Sequence, residues 1–488
     1  MEQQKRLALT EEEQTLRREL GEPAGRPGLL LLLPAAALTV LAAAGICREA
    51  GTLQPLYTGA ALGGLFCLIL LVRLLAGESR IWLVLLAVGA AVLRGVFALK
   101  WTVWPHGDYL AGWNLALELS RAGAGEWRAL AQGAGLAEGL PFVLYESLVL
   151  RLFGPTLAAV QLTNGVWGGV GCLLTALIGE KLTGSRLAGL MAGGILALCP
   201  TLLFAAGVLT PMPLYTALLL AGLWLLLCRP FSKTGWNHGL AGAAWGLCLA
   251  LEPGLPVPLL GAVAWLLLTL PGRKTDGAMG RRVLVLAAAL LLAWLAAGGL
   301  VWLLTGAGPL AGLEAGALSL RAMAERVRQQ FASYDYSWAR VDGGTPLRDQ
   351  IVQTMMHPLL QSYMLGVLLL AAGGILAGVR SASRRSLLPH ALLLAGTAAA
   401  MVLPADPISN SWAIPLFALL AGAPAGQLAE WTVQMSAPEG GKGRKKAPPL
   451  PAPLWTVKLV VSVAVYAAML ALVLIFFTGN GVFVYEAF

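Results

Sequence analysis

Stretches of some twenty largely apolar residues recur from Gly28 to the C-terminal region, and no other feature limits the fold as much. A helix of about 20 such residues crosses the hydrocarbon layer of a bilayer. In lipid, only helices and closed barrels satisfy their own backbone groups. Thirteen such stretches begin near Gly28, Tyr57, Ile81, Thr156, Leu187, Met212, Asn237, Gly254, Val283, Pro358, Leu387, Asn410 and Trp455. The expected fold is all-α, a polytopic membrane protein with about 13 transmembrane helices. The seventh stretch is short and runs into Glu252-Pro253, which allows a broken pair with the eighth. Charged residues make up 12% of the chain, about half of the roughly 25% found in a soluble domain. The 59 glycines suit helices that pack closely in lipid.

The net charge of +9 does not point to nucleic acid, because the basic residues sit in short clusters between apolar runs. That is the pattern of cytoplasmic loops. With the N-terminus inside, the inner loops hold Arg73 and Arg80, Lys181 and Arg186, Arg229 and Lys233, Arg273 to Arg282, Arg380 to Arg385, and Lys442 to Lys446. An N-terminus in the cytoplasm and a C-terminus outside the cell membrane follow as the expected topology. Residues 1–27 mix Lys5, Arg6 and Arg17 with many glutamates and read as a polar cytoplasmic segment, not a secretory signal. The six cysteines form no CxxC pair and the four histidines are scattered, so no zinc site is expected.

The organisation expected from these patterns has seven parts. Residues 1–27 are the cytoplasmic segment, and 28–80 hold two N-terminal transmembrane helices. Residues 81–304 form a transmembrane core containing a long outer loop, 100–155. A second long outer loop covers 305–357, and 358–435 return to membrane helices. Residues 436–453, rich in Gly, Pro and Lys, form a flexible inner linker. Residues 454–488 carry the last span and an outer C-terminus. Loops as long as the two outer ones are usually functional.

The first outer loop carries the most chemistry. It opens Trp101-Thr-Val-Trp104-Pro-His106-Gly-Asp108-Tyr109. Tyr109, Trp113, Ala116 and Leu117 then share one helical face, with Glu118 and Arg121 elsewhere, as in a helix lying in the membrane interface. A second interfacial or re-entrant piece runs from Pro141 through Tyr145 and Glu146 to Arg151 and Gly154. Asp108 stands where a carboxylate caps a helix, and a partly desolvated carboxylate there also suits a general base. Glu118, Glu138 and Glu146 read first as solvated faces, with Glu146 kept as a substrate contact. Arg94, near the outer end of its span, reads as a snorkelling side chain. Glu252, an acid just inside a membrane boundary, is a functional candidate. In the second outer loop, Tyr334-Asp335-Tyr336-Ser-Trp338 pairs aromatic faces with an acid, an arrangement that suits sugar stacking or interfacial anchoring.

The segment from Ile81 to about Leu270 resembles the integral-membrane GT-C glycosyltransferases, the superfamily of protein O-mannosyltransferases and aminoarabinose transferases of lipid A. The resemblance lies in the order of Leu93-Arg94-Gly95-Val96, Gly107-Asp108-Tyr109, Pro141 and Tyr145, Arg151-Leu-Phe-Gly154-Pro155, Leu162-Thr-Asn164-Gly-Val-Trp-Gly168, Ile178-Gly179-Glu180-Lys181, and Ala197-Leu-Cys199-Pro200. It implies a GT-C-like fold, a polyprenyl-phosphate sugar as donor, and a lipid, glycan or protein acceptor at the cell envelope. It also implies transfer on the extracytoplasmic face with Asp108 as the catalytic base. His106, Tyr109, Tyr145, Glu146, Arg151, Glu252, Tyr334 and Trp338 are the expected substrate contacts. No metal ligands are expected, and dependence on a divalent cation is left open. The chain has Glu252-Pro253 where relatives often carry Arg-Pro, and Thr210-Pro211-Met212-Pro213 where many carry an acid. A transporter or flippase of lipid-linked glycan, or an inactive GT-C-like scaffold, remain the alternatives.

Overall fold

The computed structural model describes residues 25–49, 55–75, 80–100, 108–136, 139–229, 236–269, 277–308, 319–332, 357–381, 385–403 and 411–435. Within them every regular element is helical. In chain order these are α1 (Gly25–Glu49), α2 (Pro55–Leu75), α3 (Ile81–Lys100), α4 (Asp108–Arg121), α5 (Trp127–Ala134), α6 (Leu140–Phe153), α7 (Leu157–Thr183), α8 (Arg186–Ala197), α9 (Pro200–Ala205), α10 (Met212–Cys228), α11 (Trp236–Leu251), α12 (Val257–Thr269), α13 (Gly277–Thr305), α14 (Leu320–Ala332), α15 (His357–Ser381), α16 (Leu388–Val402) and α17 (Ile414–Met435).

The expected spans from Gly28 to Asn410 all fall on helices, whereas the one near Trp455 and the segment 1–24 lie outside the described residues. Among the described residues, four stretches are long and apolar enough to cross a membrane, Ile81–Leu99, Leu157–Thr183, Gly280–Thr305 and Ser411–Trp431. Seven shorter apolar helices of 10–17 residues accompany them among the described residues, and the expected count of about 13 spans is not confirmed by length and composition. Two of the shorter stretches have a local cause. The stretch from Leu187 breaks between Ala197 and Pro200, where a proline without an N–H starts α9. The stretch from Asn237 ends at Leu251, and Glu252-Pro253-Gly254 turn the chain into α12, forming the broken pair that the proline suggests.

Helix α3 crosses α7 on glycines. A Cβ added at Gly169 would stand 2.6 Å from the Ala87 carbonyl oxygen, and one at Gly165 would stand 3.0 Å from the Gly95 nitrogen. These backbones touch because the GxxxG spacing puts both glycines on one face. Gly242 and Gly246 let α11 lie against the Leu286 and Leu290 carbonyls of α13 in the same way. The main core runs through most of the bundle and includes Tyr215, Trp245, Trp265, Trp412 and Phe417.

Helices α4, α5 and α6 form a separate layer with its own core of Trp113, Leu119, Ala131, Leu140, Val143 and Leu150. Its outlines follow from local sequence. Gly135 and Gly139 take positive φ values of 67° and 77° at the bend between α5 and α6, which glycine alone adopts without strain. Arg151 ties the layer together. Its Nη2 donates to the Leu119 and Ala122 carbonyls at 3.1 and 2.7 Å, and its Nε donates to the Ser120 carbonyl at 3.2 Å. These are the unpaired carbonyls at the end of α4, which attract a cation. The layer core also takes in Val160 of α7, Leu209 before α10 and Val301 of α13. The layer therefore sits at the bundle end where α7 and α10 begin and α13 finishes. Leu148, Leu152 and Phe153 of α6 are exposed, an apolar flank suited to the membrane interface.

Candidate functional site

A cavity opens among α3, α7, α9 and α10. Its lining includes Arg94, Asn164, Trp167, Gly168, Thr216 and Met212. Each polar member is positioned by an identifiable local feature. Arg94 lies along α7 because Gly168 has no side chain; a Cβ there would stand 2.6 Å from the Arg94 Cδ. The Arg94 Nη2 donates to the Leu196 carbonyl at 2.8 Å, and its Nη1 donates to the Cys172 Sγ at 3.4 Å. Asn164 donates through Nδ2 to the Val208 carbonyl at 3.1 Å, and Gln161 donates through Nε2 to the Gly207 carbonyl at 2.9 Å. These two amides, one turn apart on α7, pin the chain between α9 and α10 against the cavity.

Three polar atoms at the cavity are left over after this bonding. The Arg94 Nε, the Asn164 Oδ1 and the Thr216 Oγ1 are all buried without a hydrogen-bond partner, and all three residues line the same cavity. A buried polar atom without a partner costs about 1–3 kcal/mol. Arg94 is only 2% exposed, and among the described residues no carboxylate lies within ion-pair distance of it.

Helix α6 joins the cavity through Tyr145, whose hydroxyl accepts a 2.7 Å bond from the Trp167 indole nitrogen. Phe142 stacks on Tyr145 with ring centroids 5.9 Å apart. Phe142, Leu214 and Leu251 pack together with Tyr145, Trp167 and Leu218. This cluster brings the end of α11, and with it the Glu252 turn, to α6 and α10. The turn is also held by the Tyr215 hydroxyl, which donates to the Leu255 carbonyl at 3.0 Å.

Glu146 differs from its sequence reading as a solvated face. It is 2% exposed, because Leu140, Val143, Ser147 and Leu150 bury the same face of α6. Its Oε1 has no partner, and burial pushes the carboxyl up to about 8 from its ordinary 4.5. The pH dependence follows from this direction. Between pH 4.5 and 8 the folded chain holds a proton that the unfolded chain releases, so stability falls as pH rises through that window. Above pH 8 the buried carboxylate carries the whole penalty, on the order of 5 kcal/mol. In a thermal melt of the purified protein, Glu146→Gln is expected to flatten the fall between about pH 5 and 8. Parallel curves for the two proteins would rule this out.

The other expected site residues are distributed unevenly. Tyr109 is half-buried at the start of α4. Arg151 serves the end of α4 and also lies over the Trp127 ring at 5.6 Å. His106, Tyr334, Trp338, Glu138 and the side chain of Asp108 lie outside the described residues. Of the basic residues in the outer loops, Arg326 of α14 donates to the Met401 carbonyl at the end of α16, while Arg128 and Arg321 are exposed. Among the described residues no three His, Cys, Asp or Glu side chains come together to offer a metal site.

Sequence reasoning missed the cavity's polar set. Arg94 does not snorkel, since it is buried against α7 and α8. Asn164, Trp167 and Gly171 recur at helical spacing along one face of an apolar span, and polar groups inside spans are rarely idle. That recurrence was the available signal.

No family model matches the chain, and no curated protein matches it. Among solved structures it is similar to ArnT from Cupriavidus metallidurans bound to undecaprenyl phosphate, with a TM-score of 0.44 and 16% identity over 71% of this chain and 60% of that one. It is similar to the apo state of the same protein with a TM-score of 0.44 and 15% identity over 74% and 62%. The chain spans about three fifths of the length of those structures.

Proposed function

We propose that this protein is a membrane glycosyltransferase that moves a sugar from a polyprenyl-phosphate donor to an acceptor on the extracytoplasmic face. The observation that carries the reading is the cavity beside the α4–α6 layer, where three buried polar atoms lack a partner. The order of motifs from Leu93 to Pro200 supports the same class, and so does the apolar flank of α6.

In the proposed reaction the acceptor hydroxyl gives its proton to the Asp108 carboxylate as its oxygen bonds to the sugar C1. The bond from C1 to the phosphate oxygen breaks, and the electron pair leaves on the lipid phosphate. Attack opposite the leaving group inverts C1. Positive charge near the departing phosphate lowers the barrier. Tyr145, Glu146 and Glu252 are proposed to line the path of the sugar or acceptor, and Tyr334 and Trp338 to offer it aromatic faces.

Membranes containing the protein, incubated with labelled polyprenyl-phosphate hexose and an envelope extract as acceptor, are expected to release lipid phosphate and label the acceptor. Movement of the intact lipid-sugar across vesicles without cleavage would replace the transferase with a flippase. Neither turnover nor movement would leave the scaffold reading.

A further inference from the structure

We infer that Trp167 is a positioning residue for sugar transfer, whose indole sets the Tyr145 phenol as a one-way hydrogen-bond donor to an oxygen of the bound substrate. The inference deepens the transferase reading and rests on it.

The bond between the two side chains carries the argument. The Trp167 Nε1 donates to the Tyr145 hydroxyl oxygen at 2.7 Å. An indole has a donor and no acceptor, so the direction of this bond is fixed. The phenol oxygen is thereby occupied, and its own proton is left to donate. Among the described residues the Tyr145 hydroxyl makes no other hydrogen bond. A hydroxyl that accepts one bond is polarised to donate the next more strongly. Both residues are half-buried, so the pair stands at the edge of the core and not inside it. Trp245 shows the more ordinary use of an indole in this bundle. It is fully buried and donates to the Leu219 carbonyl, a bond that ends at the backbone. Trp167 gives its donor to a hydroxyl, which passes the polarity on.

The phenol is held from several sides. Phe142, one turn earlier on α6, stacks on its ring with centroids 5.9 Å apart and planes 27° from parallel. Leu214, Leu218 and Leu251 pack around the three aromatic side chains. Tyr145 and Trp167 lie equally far in sequence from Thr156, the N-cap of α7, so they come level as α6 folds back on α7. The same stretch of α6 meets α4. A Cβ at Gly112 would stand 3.4 Å from the Val143 Cγ2, and Gly112 is one turn along from Asp108, where α4 begins. The fixed phenol therefore belongs to the same helix layer as the proposed base.

The test measures transfer by wild type, Trp167→Phe, Tyr145→Phe and the double variant, with the melting temperatures of the purified proteins alongside. Both substitutions keep an aromatic ring in place, so melting temperatures are expected to stay near the wild type. Trp167→Phe removes only the N–H bond and is expected to lower kcat about tenfold, with KM little changed. Tyr145→Phe is expected to lose at least as much. The double variant is expected to match Tyr145→Phe alone, because an indole acting through the phenol then has nothing to act on. Losses that multiply in the double variant would overturn the inference, since Trp167 would then act by packing. A wild-type rate in Trp167→Phe would overturn it as well. A second readout is independent of turnover. With 3-fluorotyrosine at position 145, the fluorine resonance is expected to shift in Trp167→Phe, and an unmoved resonance would contradict the bond. Absence of transfer in the wild type would remove the transferase reading and this role together, whereas transfer with multiplying losses removes this role alone.

Discussion

Asp108→Asn is expected to cut sugar transfer by about two to four orders of magnitude, the usual contribution of a positioned general base. The same variant is expected to express and melt like the wild type. Asp108 is the first residue of α4, and asparagine serves the start of a helix as well as aspartate does. The substitution therefore separates the two roles that a carboxylate at this position can have. Loss of turnover with an intact fold assigns the chemistry to the carboxylate. Unchanged turnover would leave Asp108 as a helix cap only and transfer the search for a base to Glu146 and Glu252, which the packing of α6, α10 and α11 brings into one neighbourhood.

The second large effect is expected at the crossing of α3 and α7. Gly169→Val places a branched side chain where even a Cβ would stand 2.6 Å from a backbone oxygen and 2.8 Å from the Ala91 Cβ. Backbone atoms cannot turn aside as a flexible side chain can, so the helices must separate. Overpacking costs about 1–3 kcal/mol and occasionally more, and here it also pulls Arg94 away from the Leu196 carbonyl and the Cys172 sulfur. A clear drop in melting temperature is the expected outcome. Gly89 lies on the facing helix α3 with nothing within 4 Å of an added Cβ, so Gly89→Ala serves as the control and is expected to be neutral. Equal melting temperatures for both variants and wild type would contradict the crossing.

Periodicity was enough to place most helices and one interfacial face. On α4, Trp113 and Ala116 are buried while Glu118 and Arg121 are exposed, as the spacing of apolar residues requires. The break at Glu252-Pro253 was legible because proline ends a helix wherever it lies. The site was less legible, because its residues are placed by distant partners. Arg94 resembles a snorkelling arginine on its own helix, and what buries it is the missing side chain of Gly168 on another. Glu146 taken by itself reads as a solvated face, since an isolated acid in an outer loop usually is one. At helical spacing it falls with Leu140, Val143 and Leu150 on the buried face, where an acid is conspicuous. The direction of the Thr216 hydroxyl is a tertiary fact with no trace in the local sequence.

The most direct test of the account is thiol labelling of Asp108→Cys in intact cells with a membrane-impermeant maleimide, using the unsubstituted chain as the blank for the native cysteines. The account predicts labelling from outside the cell, slowed when a short-chain prenyl phosphate is present. Labelling that appears only after the membrane is permeabilised would put position 108 in the cytosol and contradict transfer on the outer face.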